Sequence, residues 1–387
     1  MEGLLNHMKK PLTLAFYCSL LFMNSESLLA NTMTVEESRI TKAENTLQAT
    51  ATKYDQLIHS FADKLNVSDT SHQKKIIDAF AHQLWQQARK DIQSENSDYD
   101  DRALYWARLK LSKIIKEHTN NKQPILWDME RASRGQLDVN FSKKSTIKVL
   151  ITGFDPFFLD KDIEQSNPSG LAALMLDGKT FTLADNIIEI QSVIFPVRFI
   201  DFDHGEVEKF LKPYLQKDAI DMLVTISMGR ADFDLERFPG LRRSADAPDN
   251  LNVFTKASKQ NPLIPKLGDG LLNGPEFVEF SLPVKAMVQI QEPFKVIDNT
   301  KVTTRLKTFH AGSLKELVEQ TSVSGSGGGY LSNEISYRSI NLANKLASKV
   351  SIGHLHTPRV SGFEPNIEKQ IVTQIEKIIL AGAQSLK

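Results

Sequence analysis

Apolar residues in the first third of the chain recur every three or four positions, which is the spacing of one face of an α-helix. The pattern occupies residues 41–65, 73–92 and 99–118. Glycine is absent between Asn31 and Arg134, and proline occurs there only at Pro124. We therefore predict an all-helical N-terminal region over residues 31–145, either as a small bundle or as a long helical arm.

The pattern changes near residue 144. β-branched and apolar runs follow, as expected for strands that are buried on both faces. These runs occupy residues 145–152, 187–197 and 221–227, and helical patterns occupy residues 169–176 and 203–217. Alternating strands and helices predict a mostly parallel sheet covered by helices. We assign residues 146–387 to an α/β domain, a three-layer α/β/α sandwich.

The remainder of this domain is less regular. Residues 232–275 are polar and rich in Pro and Gly, which predicts a long loop that could cover a site. Further predictions are a strand passing into a helix at 278–289, a helical piece at 314–319, a strand at 351–358 and a helix at 366–386. In such folds ligands bind beyond the carboxyl ends of the strands. The strand ends at Gly153-Phe154 and Gly229-Arg230 are therefore where chemistry is expected.

The N-terminus has the order of a secretory signal. Lys9 and Lys10 precede an apolar run at residues 11–23, and residues 25–30 could contain a cleavage site. A run of about a dozen apolar residues is short for a membrane span. We predict a signal peptide at 1–30 and an exported protein, periplasmic or secreted, with no membrane association once the signal is removed.

Composition excludes several kinds of site and partner. Cys18, inside the predicted signal, is the only cysteine, so the mature chain would have no disulfide, thiolate metal site or cysteine nucleophile. Lys+Arg and Asp+Glu are both 47 in 387 residues, which gives no support for a nucleic-acid partner. The histidines of the helical region have no ligand spacing; they are His59, His72, His82 and His118. No metal or cofactor is predicted.

A glycine-rich stretch is the first candidate for chemistry. Residues 323–337 read VSGSGGGYLSNEISY, with a helical pattern that starts at Ile335. Such a turn can deliver a hydroxyl, here that of Ser332, to a helix N-terminus, where developing negative charge is favoured. The alternative is an ordinary loop in which Ser332 is a helix N-cap. On this stretch alone the alternative is favoured.

Five segments taken together resemble those of pyroglutamyl peptidase type I, the pyrrolidone-carboxylate peptidases of cysteine peptidase family C15. In order they are VLITGFDPF at 149–157 followed by NPS at 167–169, GRADFDLER at 229–237 followed by PDN at 248–250, SLPVKAMV at 281–288, VSGSGGGYLSN at 323–333, and GHLHTP at 353–358. The resemblance begins near Lys148 and leaves the helical region outside. It implies a peptidase that removes an N-terminal pyroglutamyl group, with no cofactor.

The resemblance also implies catalytic residues. Glu236 and His356 fall on the family's catalytic glutamate and histidine, and Ser332 falls where the family has cysteine. A cysteine thiol can be ionised before the substrate binds, but a serine hydroxyl cannot. Ser332 would therefore have to lose its proton to His356 during attack, with Glu236 orienting the imidazole. Two alternatives stay open: Glu236 as a surface partner of Arg237, and His354 in place of His356, although spacing favours His356.

Substrate-binding residues follow from the same alignment. Phe154 and Phe157 match the two aromatic residues that hold the pyroglutamyl ring in the family, and Asn167 and Leu331 complete the expected set. The phenylalanines could instead be plain core. Departures include Phe158-Leu159 in place of family glycines and a long insertion ahead of residue 323.

Three hypotheses for function result. The first is an exported hydrolase that acts on a peptide with a blocked N-terminus. The second is a catalytically inactive homologue that binds a peptide or pyroglutamate, and the third is an interaction scaffold dominated by the helical region. Family members often form homo-oligomers, so a homo-oligomer is expected, although the insertion and the helical region could block those contacts.

Overall fold

The N-terminal part of the chain is helical. The computed structural model describes residues 33–68, 70–119 and 122–386, so the predicted signal peptide at 1–30 lies outside the described residues. The helices that precede the first strand are α1 (Val35–Ser38), α2 (Ile40–Thr46), α3 (Gln48–Ala51), α4 (Asp55–Asn66), α5 (Thr70–Ile92), α6 (Arg102–His118) and α7 (Lys122–Ala132). We call residues 33–134 the helical region, which includes the two residues that follow α7.

Two features of the helical region differ from the sequence-based expectation. The stretch 41–65 is not one helix, because the backbone leaves the helical conformation at Leu47, with φ −124° and ψ 43°. Helix α7 was not predicted. Its Pro124 lies in the first turn, where the missing N–H removes no helical hydrogen bond.

The following part of the chain alternates strands and helices. Its first half contains β1 (Ile147–Phe154), α8 (Pro168–Leu176), β2 (Thr180–Leu183), β3 (Asn186–Phe195), α9 (Phe199–Asp203), α10 (Glu206–Gln216), β4 (Met222–Met228) and β5 (Phe233–Glu236). Its second half contains β6 (Lys266–Leu267), β7 (Gly270–Leu271), α11 (Val284–Met287), β8 (Val296–Asn299), β9 (Lys301–Thr304), β10 (Thr308–His310), a 3₁₀ helix (Leu314–Leu317), β11 (Ser322–Ser324), α12 (Leu331–Leu346), β12 (Ser351–Thr357) and α13 (Pro365–Gln384).

Seven of these strands form one sheet in the order β2-β3-β1-β4-β12-β5-β8. Strands β3, β1, β4 and β12 are mutually parallel, whereas β5 runs antiparallel to β12 and β2 antiparallel to β3. Helices α8 and α13 pack together beside β1 and β3, and α10 and α12 pack together beside β4 and β12. The predicted fold class, an α/β/α sandwich with a mostly parallel sheet and a helical N-terminal region, is confirmed.

The helical region packs against the sandwich as a bundle and does not extend from it as an arm. Trp85 and Leu104 belong to the same buried cluster as Ile147 of β1. A second buried cluster joins Trp106 to Leu159, which lies in the segment between β1 and α8. The hydrophobic core is therefore continuous across the two parts of the chain. Among the described residues, none of the helices combines the length and apolar character needed to cross a membrane.

The second half of the sandwich departs most from expectation. Of the strand and helix predicted at 278–289, the structure contains only the short helix α11, so the strand prediction was wrong. The region 291–322 was expected to contain only a helical piece, yet it supplies β8 at the sheet edge and a small antiparallel sheet of β10, β9 and β11. Short strands of mixed polar residues have no clear alternation from which to predict them.

Candidate active site

A pocket lies where the carboxyl ends of parallel strands meet. Strands β1, β4 and β12 all end at this edge of the sheet, because they run in the same direction. The lining side chains are those of Phe154, Phe157, Asn167, Val197, Ser227, Met228, Tyr330, Leu331 and Ser332. The four residues predicted to bind substrate and the predicted nucleophile position thus line one cavity.

Glu236 and His356 form a hydrogen-bonded pair beside this pocket. They lie on the antiparallel strands β5 and β12, and His356 Nδ1 is 2.5 Å from Glu236 Oε1. Both side chains are buried, Glu236 completely. The second carboxylate oxygen accepts a hydrogen bond of 2.8 Å from Asn299 Nδ2, so Glu236 cannot swing away from the imidazole. Within the described part of the chain His356 Nε2 makes no hydrogen bond, which leaves it available for proton transfer.

Gly229, which directly follows β4, leaves the space that the His356 side chain occupies. A Cβ atom at Gly229 would lie 2.6 Å from His356 Cβ, well inside the contact distance of two carbons. Any larger residue at the end of β4 would therefore displace His356. The Gly-Arg segment singled out in the sequence has a steric role at this position.

His354, the alternative histidine, is engaged elsewhere. Its two ring nitrogens are each 2.8 Å from a hydroxyl oxygen, that of Thr225 and that of Ser227. Burial, with a smaller contribution from His356, lowers the pKa of His354 well below its usual value, so its ring is neutral. Its ring packs edge-on to His356 at 4.7 Å. Neither ring nitrogen of His354 is free to reach a substrate.

Ser332 lies on the first turn of α12. The helix begins at Leu331 with Tyr330 as its N-cap residue, so Ser332 is not the N-cap that the alternative interpretation proposed. Its Oγ donates a long hydrogen bond of 3.4 Å to the carbonyl oxygen of Gly327. A Cβ at Gly327 would be 3.6 Å from Glu236 Cγ, which places the loop directly against the Glu236–His356 pair.

The glycine loop, residues 325–329, is fixed by close packing of its backbone. Of its glycines only Gly328 has a positive φ, +90°. Gly325 is required for a different reason, since a Cβ there would lie 2.1 Å from Asn333 Oδ1 and 2.3 Å from Gly240 N. The Asn333 side chain also accepts from Gly240 N at 2.9 Å and donates to Gly240 O at 2.7 Å. The loop and the start of α12 are thereby tied to the segment that follows β5.

The start of α12 offers donors for a developing negative charge. The N–H of Glu334 is the first to bond within the helix, to Tyr330 O at 3.1 Å. The preceding N–H groups, those of Leu331, Ser332 and Asn333, have no intrahelical acceptor, as at every helix N-terminus. They lie at the positive end of the helix dipole, where negative charge is favoured.

The pocket walls are held by contacts outside the cavity. Phe154 stacks on Phe202 with ring planes 8° apart. Asn167 caps α8, accepting from Ser169 N at 3.1 Å, and donates to Asp155 O at 2.9 Å. Its amide is therefore committed to holding the wall. Asn167, predicted to bind substrate, lines the pocket with a side chain whose hydrogen bonds go to the protein.

Several lining residues were missed by the sequence analysis. Tyr330 packs on Phe199 at 5.5 Å and donates through its hydroxyl to Pro248 O at 2.7 Å. Tyr330 immediately precedes Leu331, and Ser227 and Met228 immediately precede the Gly-Arg segment. These three residues could have been predicted to line the site, because they are next to motif residues. Asn299, the hydrogen-bond partner of Glu236, could not be predicted in this way, because it lies within the long insertion and next to no motif.

One further carboxylate, that of Asp234, lies beside the Glu236–His356 pair. Asp234 is the register partner of His356 across the two strands. Burial, followed by the nearby Glu236, raises the pKa of Asp234 to about 6, against the opposing effect of Arg230. Arg230 Nη1 lies 3.0 Å from the Asp234 carboxylate. Among the described residues, no cluster of three or more His, Cys, Asp or Glu side chains is arranged to hold a metal ion.

Comparison with known proteins gives two family matches and one curated relative. A family model described as "PA0049, C-terminal domain" matches residues 148–273 and 299–361. A second, described as "PA0049 N-terminal domain", matches residues 24–137. The relative, Uncharacterized protein PA0049 of Pseudomonas aeruginosa, is 25% identical over 415 residues, which cover 80% of this chain and 75% of that protein. The unmatched residues 138–147 connect the helical region to β1.

Two solved structures that have a similar fold are both peptidases. Pyrrolidone carboxyl peptidase from Pyrococcus furiosus has 20% sequence identity and a TM-score of 0.44, over 62% of this chain and 100% of that chain. Pyroglutamyl peptidase I from Bacillus amyloliquefaciens has 20% identity and a TM-score of 0.41, over 62% of this chain and 94% of that chain.

Proposed function

We propose that this protein is an exported hydrolase of the pyroglutamyl-peptidase type, which removes an N-terminal pyroglutamyl or related acyl group from a peptide. The observation that carries the proposal is the Glu236–His356 hydrogen bond of 2.5 Å beside a pocket that Ser332 lines. A histidine oriented by a buried carboxylate next to a hydroxyl is the arrangement that activates serine nucleophiles. The family resemblance of the motifs supports the same assignment.

The chemistry would proceed in two displacement steps. Ser332 Oγ attacks the acyl carbon and gives its proton to His356 Nε2, and the N–H groups at the start of α12 stabilise the oxyanion. His356 then protonates the amine of the departing peptide as the C–N bond breaks, which leaves an ester on Ser332. Water, deprotonated by His356, hydrolyses that ester and releases the acid. Glu236 stabilises the imidazolium that forms in each step.

The pocket composition supports a blocked N-terminus. None of the side chains that line the cavity is an acid or a base. A free N-terminal ammonium would have to leave water without a counter-ion, which is costly in free energy. A lactam ring is uncharged and has ring methylene groups that can contact the phenylalanine walls, so its burial avoids the cost of desolvating an ion.

A second candidate function rests on one distance. Ser332 Oγ bonds to Gly327 O at 3.4 Å and not to His356, so the hydroxyl has to turn before it can be activated. A pocket that binds pyroglutamyl peptides without cleaving them would have the same walls. The second candidate is therefore a binding protein in which the nucleophile is inactive.

The deciding experiment is hydrolysis of a pyroglutamyl-coumarin amide by the mature protein and by its Ser332→Ala and Ser332→Cys variants. Turnover that Ser332→Ala abolishes is the expected result and would establish a serine peptidase. Activity in Ser332→Cys alone would favour the binding protein, because the pocket would then be intact and only the nucleophile inactive. If all three are inactive and none is stabilised by pyroglutamate, the proposal fails.

Export and assembly are parts of the proposal with separate tests. Recovery of a chain that lacks residues 1–30 from the periplasm or the medium would support export. A mass measured in solution by light scattering would show whether the protein forms the expected homo-oligomer.

A further inference from the structure

The segment between β1 and α8, residues 155–167, forms one wall of the pocket, and we call it the wall segment. It contributes Phe157 and Asn167 to the lining and begins directly after Phe154. On the side away from the pocket, the wall segment faces the helical region. No role for the helical region follows from the proposed chemistry, so these contacts are the place to seek one.

Two arginines of the helical part hold the first residue of the wall segment. Arg108 Nη2 on α6 is 2.6 Å from Asp155 Oδ1, and Arg134 Nη2, just beyond α7, is 2.8 Å from Asp155 Oδ2. Asp155, Arg108 and Arg134 are all buried. Asp155 lies between the two pocket phenylalanines in the sequence, and its carbonyl oxygen holds the Asn167 amide. The orientation of Asp155 therefore affects three pocket residues.

The rest of the wall segment is held in the same way. Arg39 forms two 2.7 Å hydrogen bonds to the Asp160 carboxylate, and Arg102 donates to Glu164 O at 2.6 Å. Asp101 accepts from the backbone N–H of Asn167 at 3.2 Å. Each of these side chains belongs to the helical region. The contacts extend from the beginning of the wall segment to its end.

The buried charges of this network have a high desolvation cost, so the network contributes little to the stability of the fold. Burial, followed by repulsion from Arg134, lowers the pKa of Arg108. In the described part of the molecule, two of its nitrogens, Nε and Nη1, have no hydrogen-bond acceptor. Buried ion pairs are often matched or exceeded in stability by apolar residues of similar volume, and in some proteins they serve instead to fix one geometry. The geometry fixed here is that of the pocket wall.

We propose that the helical region is a positioning element of the pocket, in which Arg108 and Arg134 act through Asp155 to hold Phe154, Phe157 and Asn167 in place. The inference rests on the proposed function for the meaning of the pocket, but it concerns the order of the wall segment. Both arginines are positioning residues, since neither lines the cavity.

The test compares Arg108→Met and Arg108→Lys with a matched control, Arg89→Met, in the full mature chain. Arg89 also joins the helical region to the sandwich, through a 3.1 Å ion pair with Asp177 beyond the end of α8, but it does not touch the wall segment. Amide hydrogen exchange is followed by mass spectrometry. In Arg108→Met, residues 155–167 should exchange at least about tenfold faster while α13 is unchanged. Arg108→Lys should be intermediate, because lysine keeps the charge but makes a single contact.

Kinetics supply the second readout. Arg108→Met should raise KM for the pyroglutamyl substrate about tenfold and change kcat by less than about threefold, because binding is lost equally from ground and transition states. Arg89→Met should change neither by more than about twofold. Asp155→Asn, which keeps the side-chain shape, replaces Arg108→Met if that variant does not fold.

The outcomes are distinguishable. If exchange in residues 155–167 rises no more than in the rest of the protein, the positioning role is wrong, whatever the enzyme does. If it rises locally while no form of the protein hydrolyses or binds pyroglutamyl compounds, the positioning role stands and the proposed function fails.

Discussion

The two halves of the candidate active site are built by different means. The base half, Glu236 and His356, is held by side-chain hydrogen bonds of 2.5 Å to the imidazole and 2.8 Å from Asn299. The nucleophile half, the glycine loop and Ser332, is held by close backbone packing, and its hydroxyl makes only one long bond of 3.4 Å. One half is defined by charge and the other by the absence of side chains.

This difference predicts different consequences of mutation. Replacing Glu236 or Asn299 in the base half alters the protonation state and tautomer of His356, and leaves the packing of the strands unchanged. Changing a glycine in the nucleophile half forces backbone apart, so the fold responds before the chemistry does. Tests of serine chemistry therefore fall on Ser332, because the Glu236–His356 hydrogen bond is already formed.

The largest effect is expected from Glu236→Gln. The amide keeps the shape of the carboxylate, but it cannot stabilise an imidazolium and it favours the wrong tautomer of His356. We expect kcat to fall by about 10⁴-fold, by analogy with other serine triads, and the free energy of unfolding to change little. The measurement is kcat for the pyroglutamyl-coumarin amide, in the native protein or, if only that form is active, on the Ser332→Cys background.

A partly exposed carboxylate that pairs with Arg237, the residue after Glu236, serves as the control. Glu279 pairs with Arg237 at 3.3 Å and is partly exposed, so Glu279→Gln makes the same chemical change outside the site. It should alter kcat by less than about twofold. Equal losses from both substitutions would mean that Glu236 acts through stability and not by orienting the base.

The next largest effect separates two glycines of the same loop. Gly325→Ala would place a methyl group 2.3 Å from Gly240 N, and backbone cannot move aside, so we expect a loss of about 3 kcal/mol in the free energy of unfolding. The nearest atom to a methyl group at Gly327 is 3.5 Å away. Gly327→Ala should therefore change stability by less than about 1 kcal/mol.

Urea unfolding of both variants checks this difference. If the two glycines tolerate alanine equally, the nucleophile half is not held by close packing and the comparison between the halves is wrong.

Much of the fold was predictable from the sequence for a physical reason. Strands β1 and β4 are buried along their length and consist mainly of apolar and β-branched residues, which is the pattern that predicts a buried strand. The ends of β1 and β4 carry Gly153-Phe154 and Gly229-Arg230, which predicted a site at this edge, whereas Glu236 and His356 were predicted from the family resemblance. The parallel sheet follows from the alternation of these strands with helices.

What was not predictable depends on contacts between distant parts of the chain. Asn299 lies in an edge strand of mixed residues, and only the register of β8 with β5 places it opposite Glu236. The direction of β5 is set by tertiary pairing and not by its four residues. The contacts of Arg108 and Arg134 with Asp155 join two regions that the sequence treats separately, and no local pattern marks them.

The smallest effect is expected from Asp234→Asn, and it tests whether the base half is charged beyond its catalytic pair. Burial and the nearby Glu236 raise the pKa of Asp234 to about 6 in the folded protein. In the unfolded chain an aspartate titrates near about 4. As the pH rises from about 4 to about 6, the unfolded chain releases this proton first, so folding stability is lost over that window and stays lower above it.

Asparagine cannot ionise, so the variant should lack this loss. After allowance for solvent screening of the partly exposed Arg230 partner, the loss in the native protein should exceed that in Asp234→Asn by about 1 to 2 kcal/mol. Urea unfolding at pH 4.5 and pH 7.5 measures the difference, and groups common to both proteins cancel. Parallel pH profiles would mean that Asp234 is ionised throughout, with Arg230 outweighing burial. The base half would then carry the charge of a second carboxylate beside Glu236 even in weak acid.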